Sequence, residues 1–389
     1  MTDSRLRGVR VAMLLTNPYR PDVRVQKEAF ALAAAGAEVV VFAWDRSGRL
    51  PTIERPYEGV TIRRLFIRSR DGLGIRQFPR FLRYWRAAAR AVGAERWDVL
   101  HAHDLDGLVG AVLSNRGNAR LVYDAHELFA LIVGHRLGAI AERASWALER
   151  CLVRQVDLVI TDGHARARAL RRIFRIPAAV AVENTAAAAI GSAPAESRAT
   201  LRREHGIPGD AWVIGVFASL TKAKVLETLW EALDRLPDSW VVVAGDGPEA
   251  SSVAAVATRH PRVRYLGYVQ DLAPWYRAVD IVYYALSSRT RNSRLGFPNN
   301  VAAAAVANVP LLVADVGECA RLVRRHRLGY VMPEATVENV VRGMADLRRP
   351  EIYAGYVSAA RAASGRFTWE QSAQALVEAY QRLLGRQLS

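Results

Sequence analysis

Apolar residues arrive along this chain in short, separated bursts. Val9 to Leu15 is a β-branched and aliphatic run closed by the turn signal Thr16-Asn17-Pro18. Val25 to Ala35 then carries apolar residues at helical spacing up to Gly36, and Glu38 to Trp44 is strand-like again. This order predicts a βαβ unit. The alternation continues through Val99 to Ala102, Leu121 to Tyr123 and Leu158 to Thr161. After a polar, proline-containing stretch near Ala186 to Pro208 a second series follows, with strands predicted at Val213 to Phe217, Trp240 to Ala244, Val263 to Leu266, Ile281 to Tyr284 and Leu311 to Ala314. Beyond Thr368, Trp369, Ala373, Leu376, Tyr380 and Leu383 recur at helical spacing. The expected fold class is α/β: two Rossmann-like, doubly wound parallel-sheet domains. They are expected over residues 1–190 and 191–366, with a closing helix in 367–389 that crosses back to the first domain. Ligands of open parallel sheets gather beyond the carboxyl ends of the strands, so two such domains facing one another are expected to enclose a cleft. A cleft of that kind suits a reaction that needs a donor, an acceptor and exclusion of water.

Composition narrows the function classes. The 389 residues exceed what one growing core accommodates. A formal charge of +16 suggests a nucleic-acid binder, yet only Lys27, Lys222 and Lys224 among 54 basic residues are lysines, and the arginines are scattered through both halves. No nucleic-acid partner is expected. Cys151 and Cys319 stand far apart, which argues against a disulfide framework and a thiolate metal site. The apolar run near the start is too short for a signal peptide or a membrane span, so a cytoplasmic chain is expected.

Candidate chemistry falls at the predicted strand ends. Asp22 and Arg24 follow the first strand, His101, His103 and Asp104 follow Val99-Leu100, and Asp124, His126 and Glu127 follow Leu121 to Tyr123. Each histidine and carboxylate group by itself lacks the distributed framework of a catalytic zinc site, so no metal is expected. Asp104 to Asp106 opens a helix, where the dipole favours carboxylates. Lys222 and Lys224 form a compact cationic pair between a strand and a helix. The glycines of Gly245 to Glu249 allow a tight turn after a buried strand.

Taken in order, the blocks DVRVQKEAFALAAAGAEVVV, DVLHAHDLDG, LVYDAHELF, VVVAGDGPE, YLGYV with DLAPWYRAVDIV, and FPNNVAAAAVANVPLLVADVGE resemble family 4 glycosyltransferases over nearly the whole chain. The resemblance implies the GT-B architecture. It also implies transfer of a sugar from a nucleoside diphosphate sugar (UDP-, GDP- or dTDP-linked) to an acceptor hydroxyl, with retention and with no cofactor or metal required. His126 matches the histidine beside the donor sugar, where a neutral imidazole would orient a hydroxyl or stabilise charge. Lys224, seconded by Lys222, matches the basic residue on the diphosphate. Gly245 lies in the donor-side turn, and Tyr268 and Val269 lie where backbone groups border the base, with Asp280 either behind them or, equally, in a helix-terminal or loop role. Asp22, Arg24, His103, Asp104 and Glu127 would contact the acceptor or line the cleft. Asp22 as a helix cap with Arg24 paired on the surface is the competing reading.

One departure stands out. Where the family carries glutamates eight positions apart for the sugar and the ribose, this chain has Leu295 and Ala303, and Asn300 replaces a common lysine. Val225 likewise stands where a glycine is usual. Asn299, Asn300 or Glu318 would have to substitute as donor contacts. Otherwise the chain is a catalytically silent homologue that acts as a binding or auxiliary subunit. A nucleotide-sugar epimerase of the same plan is a third reading. Between Ile75 and Arg96, Phe78, Phe81, Leu82 and Trp85 alternate with Arg76, Arg80, Arg83, Arg86 and Arg90. That pattern fits a basic amphipathic helix on a membrane surface, without insertion across it, and equally a core-packed helix with an arginine-rich outer face.

Overall fold

The computed structural model describes residues 4–20, 22–70, 74–185, 190, 196–288 and 291–385. Residues 186–189 and 191–195 of the polar stretch between the two strand series lie outside that set. The chain divides into two compact units, Met1–Glu183 with Ser372–Ser389, and Asn184–Gln371.

The first unit contains strands β1 (Arg10–Leu15), β2 (Glu38–Asp45), β3 (Ile53–Tyr57), β4 (Val60–Phe66), β5 (Val99–His103), β6 (Arg120–Ala125), β7 (Leu158–Thr161) and β8 (Val180–Ala181). Its helices are α1 (Val23–Ala34), α2 (Phe78–Gly93), α3 (Asp104–Leu113), α4 (Phe129–Leu137), α5 (Ala139–Val153) and α6 (His164–Phe174). The strands form one sheet in the order β3-β4-β2-β1-β5-β6-β7-β8. The central strands β1, β5 and β6 are buried almost throughout, which is why they read as continuous apolar runs.

The expectation of a purely parallel sheet needs one correction, because β3 pairs antiparallel with β4 at the edge. That hairpin is hard to read from sequence. β4 alternates inward Val60 and Ile62 with outward positions, but its next inward residue is Arg64. The Arg64 guanidinium is satisfied by Pro18 O at 3.1 Å, Pro51 O at 2.9 Å and Glu54 Oε2 at 2.8 Å, so a charge occupies an apolar slot without breaking the strand.

The second unit contains α7 (Glu196–Glu204), β9 (Trp212–Phe217), α8 (Glu227–Ala232), β10 (Ser239–Ala244), α9 (Ala250–Arg259), β11 (Val263–Tyr265), α10 (Ala273–Ala278) and β12 (Ile281–Tyr284). It continues with α11 (Arg291–Leu295), α12 (Asn299–Ala307), β13 (Leu311–Ala314), α13 (Gly317–His326), β14 (Gly329–Met332), α14 (Val337–Leu347) and α15 (Pro350–Ala363). Its sheet order, β11-β10-β9-β12-β13-β14, is the dinucleotide-fold order, and every pairing is parallel. Val301 to Ala307 of α12 are all buried, as small side chains allow when a helix is packed on every side. The last helix, α16 (Trp369–Leu383), returns to the first unit, where Tyr380 is fully buried.

Helix α2 takes the core-packed alternative. Tyr84, Ala88 and Val92 are buried, Tyr84 stacks on Trp44 with ring centroids 5.0 Å apart, and Phe81 meets the same indole edge-on at 5.0 Å. Trp85 Nε1 donates to Asp106 O at 2.7 Å. Of the four aromatic and aliphatic residues in the amphipathic pattern, Phe78 is the exposed one. The outward face is therefore chiefly arginine.

Candidate functional site

In each sheet the strand order reverses at one point, between β1 and β5 in the first unit and between β9 and β12 in the second. Crevices at such switch points are where ligands of this fold class bind. In the first unit Thr16, just past β1, hydrogen-bonds Asp106 of α3 across the reversal. Asn17 holds Asp22 at 2.7 Å, and Asp22 caps α1 by accepting from Val25 N at 3.2 Å. Asp22 thus follows the helix-cap reading.

Arg24 does not pair on the surface. It is 6 % exposed and grips Asp124 with two bonds of 3.0 and 2.7 Å, while its remaining nitrogen donates to Val182 O at 2.8 Å. Glu28, one helical turn on, lies 3.0 Å from the same guanidinium. Asp124 in turn accepts from His126 Nε2 at 3.0 Å, and His103 Nδ1 stands 3.2 Å from that nitrogen. Asp104 completes the ring by accepting from the His126 backbone N–H at 3.0 Å. Its φ of 56° places it in the left-handed region, which aspartate tolerates better than most side chains. Arg24, Glu28, His103 and Asp124 are buried, whereas the His126 and Asp104 side chains are 20 % and 30 % exposed. The buried members hold; the exposed pair can meet a ligand. Glu127 is exposed beside them.

Charge follows geometry. Burial works against an imidazolium at His126, but the Asp104 and Asp124 carboxylates outweigh it and raise the ring to about 10. That direction favours the charged ring over the neutral imidazole expected from the sequence. Burial pushes His101 and His103 down, so those rings are neutral, and it lifts Asp104 to about 6 and Glu28 to about 8. Between roughly pH 4.5 and 8 the folded chain keeps the Glu28 proton while the unfolded chain releases it, so this group makes stability fall as pH rises. Glu28→Gln is expected to lose that component. Its melting temperature should approach or pass that of the parent as pH climbs from 5 to 8; parallel profiles would mean that Glu28 does not hold a proton.

Glu28, His101, His103 and Asp124 each offer a ligand atom within 4.8 Å of the others, so the fold assembles a donor set that the separate sequence groups did not reveal. The Arg24 guanidinium already supplies positive charge to both carboxylates of that set. His101 Nδ1 is engaged by the Tyr380 hydroxyl at 2.7 Å. Sequence reasoning missed Glu28 and Tyr380 as members of this cluster. Glu28 was findable, because residues 24, 25, 28, 29, 31 and 32 form the buried stripe of α1.

In the second unit Lys222 is exposed and Lys224 half-buried in the turn after β9. The turn is pinned to the switch-point neighbour: Val225 N donates to Ala285 O at 3.1 Å, and Lys224 bridges to Leu286. Lys224 Nζ donates to the Tyr284 hydroxyl at 3.2 Å and lies 4.6 Å from the centre of that ring. Burial pushes the thiol of Cys319, in the first turn of α13, up to about 12, and the Lys224 charge acts against that rise. That helix has no side-chain cap.

The other candidates divide. A Cβ on Gly245 would run into Ala218 O and one on Gly247 into Leu220 O, so these glycines let the β10 turn lie against the β9 turn. Tyr268 is 68 % exposed and Val269 partly buried past β11. Asn299 is exposed, and the Asn300 amide ties α12 to Phe217 O. Ala303 is 7 % exposed, and Leu295 is half-buried. Glu318, 2 % exposed, is held by both arms of Arg321, one bond being 2.7 Å. Asp280 does not stand behind the base-bordering loop. It immediately precedes β12, at the amino end of that central strand, where it binds Arg198 at 2.6 Å, Arg202 at 2.8 Å and Val213 N at 2.7 Å.

Two α/β units of this kind, each with polar residues gathered at its strand carboxyl ends, have the architecture of the GT-B fold. The glycosyl transferase 4-like domain family matches residues 21–185, and glycosyl transferases group 1 matches 211–349. The chain belongs to the family 4-like GT-B glycosyltransferases. It is similar to D-inositol 3-phosphate glycosyltransferase of Mycobacterium leprae, at 28% identity over 393 aligned positions covering 94% of this chain and 88% of the relative. Among solved structures it resembles sucrose-phosphate synthase from Thermosynechococcus elongatus, with TM-score 0.79, 18% identity and coverage of 97% and 99% of the two chains. It also resembles Anabaena HepE in complex with UDP-glucose, with TM-score 0.72, 18% identity and coverage of 96% and 99%.

Proposed function

We propose that this enzyme moves a hexosyl group from a nucleoside diphosphate sugar to an acceptor hydroxyl, with retention and without a metal. The observation that carries the reading is Lys224, an ammonium held at the β9/β12 switch point against Tyr284. As the glycosyl bond breaks, negative charge develops on the departing diphosphate. A fixed cation stabilises that charge without rearranging. Lys222 adds a second cation at the rim, and Gly245, Tyr268 and Val269 border the nucleoside. In the first unit the His126 imidazolium donates to the sugar or the acceptor, and Asp104, whose proton is bound near pH 6, is the group able to take the acceptor's proton. Asp22, His103 and Glu127 shape that side, and Arg24 acts through Asp124. The protein works in the cytoplasm, and the arginine face of α2 draws it to the inner membrane surface.

UDP-, GDP- and dTDP-sugars form the natural thermal-shift panel, since a ligand specific for the folded state raises its melting temperature. The expected result is a shift with one base class, the UDP donors being first in line because neighbours of this fold hold UDP-glucose. Product analysis with acceptors then establishes transfer, and donor conversion with no acceptor present would indicate an epimerase instead. No shift with any donor overturns the reading.

One observation favours a second reading, a silent homologue that serves as a binding or auxiliary subunit. Ala303 offers no carboxylate to a ribose, and Glu318 is already committed to Arg321. Charge-assisted hydrogen bonds are worth about 1.5–3 kcal/mol each, so Ala303→Glu is expected to tighten donor binding roughly tenfold or more. Unchanged affinity in a folded Ala303→Glu protein would show that the ribose is held elsewhere.

A further inference from the structure

The first unit carries a feature that sugar transfer does not use. Helices α4 and α5 form an antiparallel hairpin that turns at Gly138, whose φ of 89° suits glycine. Gly138 N donates to Gly134 O at 2.9 Å, and Glu142 N donates to Gly138 O at 3.1 Å. Gly134 lies so close to the opposite helix that an added Cβ would come within 2.8 Å of Glu142 Cβ. The turn is therefore a rigid tip. It presents Ile140 at 84 % exposure and Leu137 at 44 %, with Leu148 at 43 % along α5.

Cationic side chains share the hairpin with these apolar ones. His135, Arg136, Arg143, Arg150 and Arg154 are exposed on the hairpin, and no ion pair to Arg136 or Arg143 occurs among the described residues. The hairpin's two glutamates are Glu142, packed at Gly134, and Glu149, buried against the Tyr123 hydroxyl at 2.6 Å. Helix α4 also adjoins the short turn Gly74–Gln77 that leads into α2. Arg68, Arg70, Arg80 and Arg83 line a cavity of about 520 Å³ with Ser69 and Pro79, and among the described residues no acidic side chain lines it. Exposed apolar side chains next to exposed cationic ones match the depth profile of a bilayer of anionic phospholipid: acyl chains within, phosphates around.

We propose that the α4–α5 tip is the membrane-insertion element of this protein. Leu137 and Ile140 enter the acyl boundary of an anionic bilayer, while Arg136 and Arg143 beside them meet lipid phosphates. This deepens the peripheral-membrane reading given above and is independent of the donor reading. The occupant is a lipid surface, because exposed isoleucine alone would suit any apolar partner, whereas the exposed cations of the hairpin select one that is negative over a broad area.

The full chain is tested by co-sedimentation with phosphatidylcholine vesicles and with vesicles enriched in phosphatidylglycerol. Binding to the anionic vesicles is expected, and Ile140→Asp or Leu137→Asp should weaken it roughly tenfold or more, since each removes a side chain's worth of apolar burial. Both variants should keep the parent melting temperature. Equal binding by Ile140→Asp and the parent, or no preference of the parent for anionic vesicles, overturns the proposal. So does light scattering that shows the tip joining two copies of the chain, with Ile140→Asp releasing monomers and leaving lipid binding unchanged. The nucleotide-sugar thermal shift run on the same preparations separates the two readings: a retained shift with lost vesicle binding isolates the tip, and vesicle binding with no shift leaves the tip standing while the donor reading falls.

Discussion

Lys224→Ala is expected to lower turnover of the preferred sugar nucleotide roughly 10²–10³-fold, the scale seen when one preorganised donor to a developing anion is removed. The loss should fall mainly on kcat, because the diphosphate carries more charge as it leaves than it does while bound. Lys224 has a second tie, to the Tyr284 hydroxyl at 3.2 Å, so the control is Tyr284→Phe. That variant frees the ammonium without removing it and should lose far less. Steady-state kinetics of both variants decides the matter. Equal kcat in Lys224→Ala and the parent, with the fold intact, removes the lysine from the chemistry.

Arg24→Ala is the substitution with the largest expected effect on stability. Breaking a buried ion pair by removing one partner costs about 3–5 kcal/mol, because the other charge stays behind in an apolar setting. Here Asp124 would keep His126 but lose both guanidinium bonds, and Val182 O would lose its donor. Denaturant unfolding should show the first unit melting well before the second. The double substitution Arg24→Met with Asp124→Asn should recover part of the loss, since it leaves no unpaired charge, while still abolishing the positioning of His126. A loss of less than about 1 kcal/mol in Arg24→Ala would mean that the pair is solvated in a way its 6 % exposure does not suggest.

Strand positions were legible wherever both faces of the sheet are covered, because such strands must be apolar at every position. β1, β6, β9 and β13 fall where their runs of valine, leucine and isoleucine place them. The β3–β4 edge was not legible, since one face is wet and Arg64 interrupts the alternation. At the site the residue types were legible and their partners were not. His103, Asp124 and His126 stood out at strand ends, but their shared contact depends on β5 and β6 lying side by side in register, His103 opposite Asp124. The bond between His101 and Tyr380 spans 279 positions, and no local pattern announces it. Asp280 follows the loop alternative for a related reason: in sequence it comes shortly after the base-bordering loop, while in the sheet it sits at the amino ends of β9 and β12.

That long-range bond bears on how the protein is made. The first unit is written in two pieces, separated by the whole of the second unit, and Tyr380 supplies the hydroxyl that occupies a buried imidazole nitrogen. During synthesis the earlier piece must wait, its pocket for α16 open to water, until the final helix has left the ribosome. The second unit, continuous in sequence, can be finished first.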